Sequence, residues 1–167
     1  MKIKTVLLCL VLAAVLLVTG CSDSEPASTD AETASDDIGV WSITVEIAGD
    51  EPVTFTNEDA AKIGPVEFQA AKKDGDVTLE PDTYKGILIN DFLAYYNIDT
   101  YSVISVEAAD GYSQELDPER IVASGTGFAW MENGEKLDAE SGPVMLANHG
   151  RGSKWWIKQV AKITIIK

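Results

Sequence analysis

The stretch SVISVEAADGYSQELDPERI, Ser102 to Ile121, decides what kind of domain this chain builds. Val103 to Ala108 alternates apolar and polar residues, the two-residue period of a strand with one buried face. Asp110-Gly111 tolerates the positive φ of a tight turn, so Tyr112 to Leu116 reads as the returning arm of a hairpin. Asp117-Pro118 then predicts a helix start, because aspartate accepts from free amides and proline suits the first helical position.

The neighbouring segments are of the same kind. Trp41 to Ile47 and Pro52 to Thr56 alternate as strands, and Asn57 reads as the cap of a short helix over Glu58 to Lys62. Val66 to Lys72 and Val77 to Tyr84 flank Asp74-Gly75, a hairpin signal. Asp91 to Tyr96 is the clearest helix, with Asn90 as its cap. Phe128 to Glu132, Asn133-Gly134 and Glu135 onward form another hairpin, and Val144 to Ala147 and Val160 to Ile166 close the domain as strands. The predicted class is α+β: a strand-dominated mixed domain with short helices inserted between strands.

The N-terminus predicts where that domain begins. Lys2 and Lys4 precede an apolar run from Val6 to Val18, and LVTGC, Leu17 to Cys21, follows directly. Small residues before a cysteine are the pattern of a bacterial lipoprotein signal, cut ahead of Cys21, whose thiol takes a lipid. An apolar run of about 15 residues falls short of the ~20 needed to span hydrocarbon. The expected organisation is a signal peptide over 1–20, a disordered acidic tether over 21–38 and one domain over 39–167. The tether sequence SDSEPASTDAETASDD has six acids and no Lys or Arg, too little apolar surface to offset backbone entropy. The expected location is extracytoplasmic, lipid-anchored to a bacterial membrane.

Composition excludes several chemistries. Cys9 falls within the signal and Cys21 is consumed by lipid, so the folded domain has neither a disulfide framework nor a thiolate for catalysis or metal. From residue 39 onward there are 11 basic and 21 acidic side chains, a net charge of −10 that argues against nucleic acid. No serine stands in a nucleophile elbow, and no glycine-rich phosphate loop follows a strand.

Four segments in order carry a resemblance: YKGILINDFL from Tyr84, SVISVEAADGYSQELDPERI from Ser102, FAWMENGEKLDAESGPVML from Phe128 and WIKQVAKITII from Trp156. Together they resemble the sulfite-oxidase-type molybdopterin-binding domain, over roughly Tyr84 to Ile166. That family has a tyrosine-glycine turn leading to a helix, a DGYS-like strand, an asparagine-glycine hairpin with glycine-proline, and a terminal strand after a basic loop. The resemblance places Tyr112 at a pocket position near the metal. It matches Lys158 to a lysine of the last loop that touches the pterin, although Gln159 replaces the family's tryptophan. It also implies a cysteine ligand for molybdenum, and the domain has none. Molybdopterin is therefore implied by resemblance, but no bound cofactor is expected and no catalytic or metal-ligating residue is nominated.

The last loop, NHGRGSKWWIK from Asn148 to Lys158, supplies most of the candidate site. Gly150 and Gly152 let the backbone bend, while Arg151, Lys154 and Lys158 add positive charge. Trp155 and Trp156 are adjacent, so in an extended segment one faces inward and one outward. His149 alone does not make a metal site. With Tyr112, the ligand-binding candidates are His149, Arg151, Lys154, Trp155, Trp156 and Lys158. The expected function is a non-catalytic binding module held at the membrane through Cys21, whose partner is a small anionic ligand or an envelope protein. The alternative is a molybdopterin-dependent oxidoreductase with a non-cysteine metal ligand.

Overall fold

A computed structural model describes residues 38–167. The signal, Cys21 and the acidic segment through Asp37 lie outside those residues. Ile38, assigned above to the tether, is buried in the main core, and its carbonyl accepts from Trp41 Nε1–H at 3.1 Å.

The chain order is β1 (Ser42–Ile47), β2 (Val53–Thr56), α1 (Asn57–Ile63), β3 (Val66–Ala70), β4 (Lys72–Asp74), β5 (Val77–Thr78), β6 (Asp82–Leu88) and α2 (Ile89–Tyr95). It continues as β7 (Val103–Ala108), β8 (Ser113–Leu116), β9 (Thr126–Glu132), β10 (Glu135–Lys136), β11 (Met145–Asn148), β12 (Arg151–Gly152) and β13 (Val160–Ile166). Single 3-10 turns occupy Pro118–Arg120 and Ser153–Trp155. The strand-dominated α+β class expected from the sequence is the class observed.

Three sheets result. The first runs β2-β1-β13-β7-β8, and β1 pairs parallel with β13, so the first and last strands of the described chain lie side by side. The second runs β10-β9-β6-β3, with β11 also on β9. A small third sheet runs β12-β4-β5. In β7 the alternation read from the sequence puts Ile104, Val106 and Ala108 inward. The β9 strand is buried on both faces, because alternate residues serve different layers. Phe128 and Trp130 join a large cluster with Trp41, Phe55, Ile87, Phe92 and Leu146, while Ala129 joins a smaller one with Phe68, Tyr84, Met145, Ala147 and Trp156.

Several local expectations change. Thr56, not Asn57, caps α1: its Oγ1 accepts from Asp59 N–H at 3.4 Å while Asp59 Oδ2 accepts from Thr56 N–H at 3.1 Å, a reciprocal capping box. Asn90 lies inside α2, whose cap residue Leu88 makes no side-chain capping bond. The helix predicted at Asp117-Pro118 is one 3-10 turn, with Asp117 Oδ1 accepting from Arg120 N–H as expected. The hairpin predicted around Asp74-Gly75 keeps its turn, with Gly75 at φ +58°, but only β4 and β5 belong to it. The outer arms leave for the second sheet, where β3 pairs with β6 and sets Phe68 opposite Tyr84. The tyrosine-glycine element is likewise strand interior. Gly86 is required there because an added Cβ would meet the Phe128 carbonyl oxygen of β9.

Candidate functional site

The last loop begins where β11 ends at the fully buried Asn148, whose Oδ1 accepts from Thr126 Oγ1–H at 3.2 Å. His149 follows, and its Nδ1 accepts from Ala71 N–H at 3.1 Å. That bond puts the ring proton on Nε2 and makes the imidazole a fastener between loop and sheet. Gly150, at φ +70°, turns the chain so that its own N–H reaches the Ala71 carbonyl, and Arg151 then pairs with Lys72.

The cations of the loop do different things. Arg151 spends its guanidinium on backbone, donating to the Glu119 carbonyl at 2.8 Å and the Arg120 carbonyl at 3.3 Å. Those carbonyls end the 3-10 turn, so Arg151 ties two loops together. Lys154 lies over the Trp155 ring at 5.4 Å, and the Arg120 guanidinium lies 4.8 Å from the same ring. Lys158 pairs with Glu140 Oε1.

The two tryptophans do not divide as an extended segment would make them, because Trp155 ends a 3-10 turn and packs against the large cluster while Trp156 enters the small one. Trp155 is half-buried under its cations, whereas Trp156 is only 6% exposed, packs on Tyr84 with ring centroids 5.7 Å apart and donates Nε1–H to the Arg151 carbonyl. Trp156 is chiefly a core residue that shows one edge.

That edge borders a cleft of about 330 Å³, open to solvent and lined by Ala108, Asp110, Tyr112, Glu140, Trp156, Lys158 and Gln159. Tyr112 is 44% exposed, and its hydroxyl donates to the Lys154 carbonyl at 2.8 Å while accepting from Gln114 Nε2–H at 2.9 Å. These two bonds hold the ring in place. Gln159, at φ +47°, anchors the opposite wall by donating Nε2–H to the carbonyls of Ala139 and Glu140.

Of the residues nominated from sequence, the structure brings Tyr112, Trp156 and Lys158 together at this cleft. His149, Arg151, Lys154 and Trp155 do not line it. Three cations around one cavity is therefore not the arrangement observed; the reason is that Arg151 and Lys154 find carbonyl and aromatic partners within their own loop. The cleft also takes in Asp110, Glu140 and Gln159, which the sequence does not nominate as ligand-binding residues. Asp110 had been assigned to turn chemistry, which it also performs by accepting from Tyr112 N–H at 2.9 Å. Glu140 reaches the site only through the pairing of distant strands and carries no local signal.

Among the described residues no group of three His, Cys, Asp or Glu side chains could hold a metal ion. Nor do they include a cysteine. The donor set does not fit a molybdenum centre that needs a thiolate, and the small cleft offers a single ion-paired cation to a phosphate-bearing cofactor.

No family model matches the chain, and no curated protein matches it. Among solved structures it is similar to the sulfane dehydrogenase SoxCD from Paracoccus pantotrophus, with 21% identity and a TM-score of 0.62. The match covers 75% of this chain and 38% of that one, so this chain spans well under half of its neighbour's length. The likeness is one of fold: the strand-dominated architecture of this domain is shared with part of that enzyme.

Proposed function

We propose that this protein is a non-catalytic binding module, tethered outside the cytoplasmic membrane through a lipid on Cys21, that takes a small ligand in the cleft beside Tyr112. The observation that carries the reading is the cleft itself: a fixed, exposed tyrosine ring and hydrogen-bonding side chains around about 330 Å³. Small-molecule sites have this character, a concave surface with a few placed polar groups. The residues bordering it supply hydrogen-bonding, charged and aromatic groups suited to holding a ligand.

The second reading, a molybdopterin-dependent oxidoreductase with a non-cysteine ligand, draws on the segment resemblance over Tyr84 to Ile166 and on the fold likeness. Native mass spectrometry and metal analysis of the lipoprotein, purified from its own membrane, separate the two. A co-purifying small molecule, released when Tyr112 is replaced by alanine, is the expected result. One equivalent of molybdenum with a pterin would overturn the binding reading.

A further inference from the structure

The cleft lies within an acidic protein, and its charges are unevenly used. Asp110, at the tip of the β7–β8 turn, accepts from Tyr112 N–H through Oδ1. Glu140, whose side chain is largely exposed, meets Lys158 through Oε1. Among the described residues Lys158 is the one cation lining the cleft, where two carboxylates stand against one ammonium, and Lys72, outside the lining, lies 4.9 Å from the centroid of the Trp156 ring. Arg151 and Lys154, which would have reversed that balance, are turned to the Glu119 and Arg120 carbonyls and to the Trp155 ring.

An incoming anion would have to displace Glu140 from Lys158 and then sit beside Asp110. A cation meets no such obstacle. It finds two carboxylates and the Tyr112 ring, whose face attracts positive charge and whose hydroxyl is held from both sides, so little ordering is left for binding.

We infer that the cleft takes a small organic ammonium compound, a primary or quaternary amine, and not an anion. This rests on the reading of the cleft as a binding site and specifies its ligand class. The volume suits a ligand of amino-acid size, at the lower end of small-molecule pockets, which run from roughly 300 Å³ upward.

The test is titration calorimetry on the purified full-length chain in detergent at low salt, with choline and putrescine as cationic probes and citrate and inorganic phosphate as anionic ones. At least one cationic probe should bind, and neither anion should. Asp110→Asn keeps the acceptor that holds the Tyr112 turn but removes the charge, and should weaken the cation about tenfold, the scale of a partly exposed charge pair. Tyr112→Phe keeps the ring and should retain binding, whereas Tyr112→Ala should lose it. Lys158→Met frees Glu140 and should strengthen the cation about threefold, an effect that a merely structural lysine would not produce. Anion binding that disappears in Lys158→Met, with both cations silent, would overturn the ammonium assignment while leaving the cleft a binding site. Silence from all four probes would overturn both.

Discussion

The central sheet of this domain has a different apolar layer on each face. On one side Phe128, Trp130, Ile87 and Leu146 pack into the large cluster shared with the first sheet and both helices. On the other, Phe68, Tyr84, Ala129, Met145 and Ala147 are covered by Trp156, from the loop that also borders the cleft. The large layer is built mostly from strands and helices that each bury one face, with Ile157 and Trp155 added from the last loop. The small one depends on an aromatic ring held by an irregular loop. The large layer reaches the cleft only through the small Ala108, whereas the small layer meets it through the Trp156 ring, so stability and candidate function are coupled more strongly in the second.

The largest test of that contrast is truncation on the well-closed side. Phe128 is fully buried and packs edge-on against Phe92 at 5.1 Å, so Phe128→Ala should cost about 4 kcal/mol by urea denaturation, within the range for buried aromatics. Trp156→Ala should cost about 3 kcal/mol, since one edge of the ring is already wet, and should also reshape the cleft. Equal losses, with cleft affinity unchanged in Trp156→Ala, would break the comparison.

Tyr84 gives a smaller effect on the same small layer. Burial, and next its hydrogen bond to Glu132 at 2.6 Å, push the phenol pKa well up, so it stays a donor at all ordinary pH. Tyr84→Phe removes a charge-assisted bond and should lower stability by about 1–2 kcal/mol. An unchanged midpoint would mean that solvent replaces the contact without loss.

Acid titration probes the large layer through its helices. For Asp59, burial alone would raise the pKa, but hydrogen bonds from Lys62, Thr56 and Tyr95 outweigh it and lower the carboxyl from 3.8 to about 2. The group therefore contributes stability that is present above pH 3.8 and lost as pH falls through about 2. Asp59→Asn should flatten the stability profile across that window, measured by circular dichroism, and an identical acid limb would refute the assignment. The smallest effect is expected at the exposed Lys158–Glu140 pair, where Lys158→Met should change stability by less than about 0.5 kcal/mol.

Much of this was readable in the chain, and the particulars show why. The β7–β8 hairpin and the β9–β10 hairpin were legible because their information is local. Alternation defines the buried face, and Gly111 at φ +87° with Asn133 and Gly134 at φ +51° and +82° are the residue types such turns demand. Adjacency did not decide Trp155 and Trp156, since the 3-10 turn ending at Trp155 lets both rings meet apolar clusters, the first the large one and the second the small one. Thr56 displaced Asn57 as a cap because both residue types suit that place, and the choice falls to whichever hydroxyl or amide completes the box with Asp59.

What the sequence by itself determined was the class, the turns and the faces of strands, since each depends on residues within a few positions of one another. Tertiary structure alone decided that β1 lies parallel to β13, that Glu140 stands across a cleft from Tyr112, and that Arg151 is spent on carbonyls more than thirty residues away. Those outcomes depend on which of many exposed partners a long side chain or strand edge meets first in a closed core. That competition is settled by geometry over distance, which no local pattern encodes.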